Sequence, residues 1–434
     1  MEDEHWKLVY EEYDPDKRGL REAICALGNG YFCTRGAFAE EEADQTHYPG
    51  TYIAGGYDRQ TTRIAGRDVE NEDLVNFPNW LSLTFRIDGG PWFDLDEVEV
   101  LDYRLELDIA RGVLRRRVRF RDASDRTTRL RERRFVHIDR EHLAGLRVDV
   151  AAEDWSGRLE VRSAVDGRVE NDGVERYSDL ESRHHEPIVM EEVDDETLLL
   201  KVRTLQSRLE VALAQRTRAY HRSQHLRPER TVIEEPTGLI GHHFEVDLHE
   251  SSDVTIEKTV ALFTSRDPAI SEAGLAAKNR LAHLDKRFDA LESEHALAWE
   301  LLWRRFDIAM DVESAAEPFH PALILRLHVF HLLQTSSPNT QDLDVGVPAR
   351  GWHGEAYRGH IFWDELFIFP LLNLRMPEIT RSLLKYRYRR LDAARREARQ
   401  AGFEGAMFPW QSGSSGREES QVVHLNPESG RWLP

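Results

Sequence analysis

The sequence predicts an α+β protein of several domains, in which a large antiparallel β-sandwich is followed by helices. Up to about residue 265, apolar and polar residues alternate in short segments, as at 80–88 and 254–260. Such alternation is typical of strands with one buried and one solvated face. Turn sequences such as DGGP at 88–91 separate the segments. Many short strands joined by turns favour two packed antiparallel sheets, so residues 1–265 are assigned to an N-terminal β-sandwich domain.

Past Thr264 the spacing of apolar residues changes from two to about 3.6, which indicates helices. Seven residues at three- and four-residue intervals predict one long helix over about 270–306: Leu281, Leu284, Phe288, Leu291, His295, Ala298 and Leu302. We interpret residues 266–318 as a helical linker between domains. The spacing also fits a coiled-coil dimer, but Trp299 and Trp303 widen the apolar stripe, which favours packing within the chain.

Three more helices are predicted over about 321–334, 362–373 and 377–400, the last ending near Gly402 as a helix stop would. The first of them is apolar nearly all round, with Leu323, Ile324, Leu327, Phe330, Leu332 and Leu333. Such a helix is expected to have neighbours on several sides.

Composition and charge narrow the class of protein. The chain has 434 residues and is 40% hydrophobic, but no apolar run reaches the roughly 18 residues of a membrane span. Its acidic start is unlike a signal peptide, so a soluble, cytoplasmic protein is expected. With Cys25 and Cys33 alone, neither a disulfide framework nor a thiolate metal site is expected. A net charge of −20 argues against nucleic acid and membrane partners and favours a neutral ligand.

The stretch 351–421 carries the clearest functional signal. YRGHIFWDE at 357–365 places an Arg, a Trp and two carboxylates at a predicted helix start, and FPWQSG follows at 408–413. Aromatic side chains beside carboxylates are typical of a site for a neutral polyhydroxylated ligand. These two motifs therefore predict a sugar site.

Other interpretations of this region stay open. His360 and Asp364 are four residues apart, with His353 as a third metal ligand, but no HExxH-type pattern surrounds them and we expect no metal. Segment 381–400 has eight Lys or Arg and two acidic residues, which fits a nucleic-acid face or, as we favour, the wet side of a packed helix. The loop GSSGR at 413–417 fits a phosphate cradle but lacks the Walker pattern.

Separated motifs along the whole chain, in order, resemble glycoside hydrolase family 65, which contains the maltose, trehalose and kojibiose phosphorylases and related trehalose hydrolases. The motifs are LGNGY at 27–31, YPGTY at 48–52, NED at 71–73, ARG at 349–351, the run 357–365, YRYR at 386–389 and GAMFPW at 405–410. The resemblance implies a β-sandwich, a helical linker, a catalytic (α/α)6 barrel and a small C-terminal β domain. Residues 319–434 then hold only the start of the barrel, because about 115 residues are too few for twelve helices of about a dozen residues each. The chain is expected to be truncated within the barrel.

The resemblance also implies the chemistry. In this family a carboxylic acid protonates the glycosidic oxygen while phosphate attacks the anomeric carbon from the opposite face, with inversion. A hydrolase uses water instead and needs a second carboxylate as base. The general acid is expected beyond Pro434, so no catalytic residue is assigned here. An α-glucosidic disaccharide and inorganic phosphate are the implied substrates, and no cofactor is expected.

The resemblance assigns the glucosyl site to Trp363 and Asp364, with Trp410 as a second aromatic wall. Gln411 stands where the family often has Glu, and Trp-Asp-Glu-Leu stands where members commonly read Trp-Asp-Thr-Glu. Arg358 is interpreted either as orienting a carboxylate across the pocket or as a bridge to a loop. These departures leave open the choice among trehalose, maltose and kojibiose, and between phosphorolysis and hydrolysis.

Three functions follow. In the first, the chain is a family 65 phosphorylase or hydrolase whose activity needs a further segment. In the second, it is a non-catalytic sugar-binding module. In the third, it is an inactive fragment that serves as an interaction protein. Open apolar helices at 321–334 and 362–373 are expected to favour aggregation or a partner. That partner is a homodimer mate or a complementing downstream chain.

Overall fold

The computed structural model of the chain describes residues 4–44, 46–64, 66–310, 320–420, 424–426 and 431–433. The strands are β1 Lys7–Tyr10, β2 Leu27–Gly28, β3 Phe32–Thr34, β4 Thr51–Ile53, β5 Tyr57–Ile64, β6 Arg67–Leu74, β7 Leu83–Ile87, β8 Glu99–Asp108, β9 Val113–Arg121, β10 Thr127–Val136, β11 Leu143–Ala152, β12 Gly157–Asp166, β13 His185–Asp194, β14 Thr197–Thr204, β15 Glu210–His221, β16 Gln224–Leu226, β17 Arg230–Glu235, β18 Leu239–Leu248, β19 Ser252–Thr264, β20 Ile361–Phe362, β21 Gln411–Ser412, β22 His424–Asn426 and β23 Arg431–Leu433. The helices are α1 Arg18–Ile24, α2 Ala273–Ala282, α3 Phe288–Phe306, α4 Pro321–Thr335, α5 Glu365–Arg375, α6 Pro377–Arg389 and α7 Leu391–Gln400.

Two antiparallel sheets form the predicted sandwich. The larger has the order β1-β8-β9-β10-β11-β19-β15-β14-β13, with β16 paired to β15, and the smaller has the order β17-β18-β12-β7. Apolar side chains of β11 and β12, such as Val148 and Val161, are buried in one common core. The alternating pattern in the sequence arises because each strand turns one side toward this core. The prediction of a β-sandwich followed by helices is confirmed.

Residues 270–306 contain two helices, so the prediction of a single helix over this range was wrong. Helix α2 ends at Ala282, and α3 begins at Phe288. Buried Arg216 of β15 donates to the carbonyl groups of Leu281, at 2.7 Å, and Leu284, at 2.9 Å. A helix leaves its last carbonyl groups without partners, and this guanidinium satisfies two groups where α2 ends. The apolar spacing continues across the break because both helices pack on the same core.

Helix α3 packs within the chain and joins the sandwich to the helices that follow. Trp299 is 1% exposed, and its ring lies 4.8 Å from that of Phe330 in α4. The indole of Trp303 donates to the carbonyl of Ile109, which follows β8, at 3.0 Å. The apolar stripe of α3 is therefore used inside the chain, as we favoured over a coiled-coil seam.

The predicted helix over 377–400 is also two helices, α6 and α7, which meet at Arg390. The Arg390 guanidinium lies 3.7 Å from the centre of the Tyr386 ring and donates to the carbonyl of Ser414. The predicted helix over 362–373 starts later, at Glu365, because residues 361–362 form β20. Among the described helices, none is long and apolar enough to cross a membrane.

Candidate functional site

Strands β20 and β21 form a two-stranded ribbon that unites the two predicted motifs. Ile361 pairs with Ser412 and Phe362 with Gln411. Trp363 directly follows β20 and Trp410 directly precedes β21, so both lie at the same end of the ribbon. The pairing places side by side two motifs that are about fifty residues apart in the sequence.

The rings of Trp363 and Trp410 meet in what we call the aromatic corner. Their centres are 5.8 Å apart, and their planes are inclined by 37°. A stacked contact needs roughly 3.5–4 Å on each side of a sugar ring, so no sugar fits between the two indoles. Both rings remain accessible, at 46% and 58% exposure. The corner therefore offers open indole faces against which a sugar can pack.

Asp364 follows directly at the start of α5 with an exposed carboxylate. It occupies the N-cap position, yet its backbone is helical and its side chain makes no capping hydrogen bond. The carboxylate oxygens are thus free of the helix end and able to accept hydrogen bonds from sugar hydroxyls. A charged acceptor forms stronger hydrogen bonds than a neutral one.

Glu365, the second carboxylate of the motif, is buried and structural. One oxygen accepts from the Val347 amide at 2.8 Å, and the other accepts from the Arg387 guanidinium at 2.8 and 3.0 Å. Burial raises the pKa of Glu365, although the Arg387 charge opposes this. The ion pair fixes the start of α5 against α6, so only Asp364 of the two carboxylates faces solvent.

Gln411 is held on the loop that follows the ribbon. Its side-chain amide donates to the carbonyl of Glu419 at 2.7 Å. Next to it, the Trp410 amide donates to the Glu418 carboxylate at 2.7 Å. The side chain of a glutamate at position 411 would have no N–H group to donate to the Glu419 carbonyl. The glutamine therefore matches the local fold of this loop, whatever it contributes to a ligand.

Arg358 lies apart from the aromatic corner. It is buried, with Nε 3.6 Å from the Asp73 carboxylate and its guanidinium 5.2 Å from the centre of the Tyr177 ring. Tyr357 and Arg358 both have left-handed backbones, with φ of 54° and 55°, and this turns the chain toward the sandwich. These contacts tie Arg358 to β6 and to the segment that contains Tyr177.

The alternative metal set does not converge. His360 Nε2 donates to the carbonyl of Glu72, and the His353 ring lies 4.3 Å from that of His331. Over the described ranges, the group of side chains close enough to hold a metal ion is Glu22, Glu41 and His47 instead. Arg18 and Arg35 form ion pairs with these two glutamates, so their negative charges are already compensated.

Sequence reasoning missed Glu355, a buried carboxyl between the sandwich and the helices. Its oxygens accept from the Tyr48 hydroxyl, from the Tyr52 hydroxyl at 3.1 Å and from the Gly173 amide at 3.0 Å. Burial raises its pKa to about 7 from an ordinary value of 4.5. The YPGTY motif was the available signal, but nothing in the sequence pairs it with residue 355.

The raised pKa of Glu355 predicts a pH-dependent stability. The folded state holds this proton more tightly than the unfolded state, so the contribution to stability is full below about pH 4.5 and is lost as the pH rises through 7. Between pH 4.5 and 8, the wild type should lose about 3 kcal/mol more than Glu355→Gln in urea unfolding. Glu99→Gln, an exposed control, should follow the wild type. Equal pH profiles for wild type and Glu355→Gln would contradict the assignment.

Comparisons with known proteins agree with this architecture. Residues 8–302 match the N-terminal domain of glycosyl hydrolase family 65, and residues 326–434 match its central catalytic domain. A solved structure from the human microbiome, described as a candidate kojibiose phosphorylase, superposes with a TM-score of 0.83 at 20% identity. The superposition covers 96% of this chain and 53% of the solved chain. This likeness supports the fold.

Curated relatives are similar over nearly the whole chain. An uncharacterized glycosyl hydrolase of Mycobacterium tuberculosis is 48% identical, covering 100% of this chain and 32% of the relative. The trehalose 6-phosphate phosphorylase of Lactococcus lactis is 33% identical, covering 100% and 54%. The kojibiose phosphorylase of Halothermothrix orenii is 30% identical, covering 95% and 51%. The chain thus spans between about a third and about half the length of these relatives.

Proposed function

Because the chain belongs to glycoside hydrolase family 65, we propose that it binds the glucosyl unit of an α-glucosidic disaccharide at the aromatic corner. The observation that carries the proposal is the pair of accessible indole rings, 5.8 Å apart, beside the exposed carboxylate of Asp364. The rings supply an apolar surface for the sugar, and the carboxylate accepts from its hydroxyl groups. Gln411, which follows Trp410 directly on the ribbon, donates its side-chain amide to the carbonyl of Glu419 and so supports the loop beside this site.

We propose that the bound disaccharide undergoes inverting phosphorolysis, with inorganic phosphate as the nucleophile. Two of the relatives named above are phosphorylases. Phosphate is already anionic, so the reaction needs no carboxylate base, whereas hydrolysis needs one to deprotonate water. Kojibiose, trehalose and maltose remain the candidate substrates, joined by trehalose 6-phosphate because one relative carries that name.

We propose that the general acid comes from catalytic-domain residues outside this chain. Near the corner, Asp364 is exposed to solvent, while Glu365 is held in the ion pair with Arg387. Neither is placed to deliver a proton to a glycosidic oxygen. An acid suited to that task needs a raised pKa and access to the leaving group.

An exposed apolar face beside the corner supports this proposal. Five large apolar side chains of α5 and of the segment just before Trp410 are exposed, from 41% to 74%, and are together called the open face: Leu366, Phe367, Leu374, Met407 and Phe408. Soluble proteins seldom leave such a surface uncovered unless it binds something. Relatives that match this chain are about twice as long or longer. We therefore favour further helices of the catalytic domain as the covering partner, over a homodimer.

The test is an assay of products. The purified chain, alone and with the downstream catalytic-domain segment of the Lactococcus lactis relative, is incubated with each candidate disaccharide, with and without phosphate. We expect glucose 1-phosphate only when phosphate and the added segment are both present. Free glucose without phosphate would instead show a hydrolase. Sugar binding with no product under any condition would show a non-catalytic binding module.

A second expectation concerns solution behaviour. Co-expression with the downstream segment should convert the chain from self-associating material into a defined complex in gel filtration, because the open face becomes buried. An unchanged elution profile, with the chain monomeric in both cases, would contradict the proposed partner.

A further inference from the structure

Strands β5 and β6 form a hairpin, here called the sandwich hairpin, that reaches from the sandwich to the ribbon. On the β20 side, the Tyr57 hydroxyl donates to the carbonyl of Gly359 at 2.6 Å. His360 Nε2 donates to the carbonyl of Glu72, also at 2.6 Å. Gly359 has a φ of +64°, and a Cβ there would lie 2.4 Å from Leu74 Cβ. The hairpin thus contacts the segment that leads directly into Trp363.

The same hairpin holds the other strand of the ribbon through Glu72. This side chain is 5% exposed, and its carboxylate accepts from the Ser414 amide at 3.1 Å and from the Ser414 hydroxyl. Gly413 lies against it so closely that a Cβ there would sit 2.1 Å from Glu72 Oε2. A charged acceptor in a buried setting orients its donors strongly.

Arg59 extends this contact to the loop that supports Trp410. Its guanidinium lies 3.2 Å from the Glu72 carboxylate and donates to buried Glu419. The Glu419 amide donates to the carbonyl of Gln411 at 3.0 Å, and the Gln411 side chain donates back to the Glu419 carbonyl. A continuous set of polar contacts therefore runs from the hairpin to the residue next to Trp410.

We propose that the sandwich hairpin, through Glu72, sets the position of Trp410 relative to Trp363 and so shapes the aromatic corner for a sugar. Glu72 is a positioning residue, because its contacts are with the ribbon and its loop. The proposal rests on the sugar site proposed above. It gives the sandwich domain a part in ligand recognition and assigns a role to the NED motif at 71–73, which the proposed sugar contacts leave unexplained.

The test uses two readouts of the full chain, carrying 5-fluorotryptophan. Fluorine NMR without sugar reports the surroundings of each indole, and calorimetric titration with kojibiose, trehalose, maltose and trehalose 6-phosphate reports affinity. In Glu72→Gln, the signals of Trp363 and Trp410 should shift while those of buried tryptophans stay in place. Affinity for the disaccharide that binds should fall about 10-fold, the effect of one charge-assisted contact.

Three further variants make the outcome decisive. Asp68→Asn, at the exposed Arg63–Asp68 ion pair near the tip of the same hairpin, should leave both readouts unchanged. Ser414→Ala removes one donor to Glu72 from the ribbon side and should move the same two signals even if Glu72→Gln fails to fold. Ser414→Thr keeps the hydroxyl and should restore them.

The two proposals fail in different ways. If the wild type binds none of the sugars but the two indole signals still move in Glu72→Gln and Ser414→Ala, the positioning role stands and the sugar site falls. If the wild type binds sugar and both variants leave the indole signals and the affinity unchanged, the positioning role is overturned. A general loss of dispersion over all tryptophan signals in Ser414→Ala would likewise overturn it, because Glu72 would then maintain the fold as a whole.

Discussion

Asp364→Ala should weaken disaccharide binding at least about 30-fold and leave the sandwich folded. A hydrogen bond to a charged group is worth about 1.5–3 kcal/mol, and two sugar hydroxyls bound to one carboxylate give about 2 kcal/mol or more. The cost to stability should be small, because the side chain is exposed and makes no capping hydrogen bond to α5. Calorimetric titration measures the affinity, and circular dichroism reports the fold.

Asp392→Ala is the matched control for this change. Asp392 is also an exposed aspartate in the first turn of a helix, α7, and its carboxylate pairs only weakly, at 3.3 Å, with Arg395. Its loss should leave the affinity within twofold of the wild type. If Asp364→Ala binds the disaccharide as tightly as Asp392→Ala does, the carboxylate has no part in the site.

Trp299→Ala should lower the free energy of unfolding by about 4 kcal/mol, as expected for removal of a large buried aromatic side chain. The Trp299 ring packs against Phe330 of α4 and Trp303 of its own helix. It also lies directly over Gly112, where a Cβ would sit 2.1 Å from the indole nitrogen. One side chain therefore joins the sandwich, α3 and α4. Urea unfolding measures the loss.

Leu297→Ala on the same helix is the control, because Leu297 is 56% exposed and its truncation should cost under about 0.5 kcal/mol. The Trp299 variant should also separate the unfolding of the sandwich from that of the helices. A single transition at the wild-type urea concentration would contradict the role of α3 as the connection between domains.

The sandwich was predictable because each strand turns one side to the core, so apolar and polar residues alternate along its sequence. Helix periodicity likewise predicted the position of α4 to within a residue, at Pro321–Thr335. The break between α2 and α3 was not predictable. At the break, carbonyl groups accept from the guanidinium of Arg216, which is more than sixty residues away in the sequence. No local pattern marks such a partner.

The candidate site shows the same division. Trp363, Asp364 and Trp410 were assigned to the site from the family resemblance, and the ribbon places the two indoles close together. Strands of two residues are too short to carry a period, so their pairing left no signal. The orientation of Arg358 follows from the left-handed backbone of Tyr357 and of Arg358 itself. Residues other than glycine seldom adopt this conformation, so the sequence gives no sign of it. Glu72 belongs to a motif that the sequence shows, but its partner Ser414 is 342 residues away, so the contact could not be predicted from the sequence.

The central claim is that a glucosyl unit packs on the aromatic corner, and fluorine NMR of the 5-fluorotryptophan protein tests it most directly. The chain has ten tryptophans, and Trp363→Phe and Trp410→Phe identify the two signals of interest. On titration with kojibiose, trehalose, maltose or trehalose 6-phosphate, these two signals should shift together and saturably while the other eight stay unchanged. Saturable shifts confined to other tryptophans, or no shifts with any disaccharide at millimolar concentration, would contradict the claim.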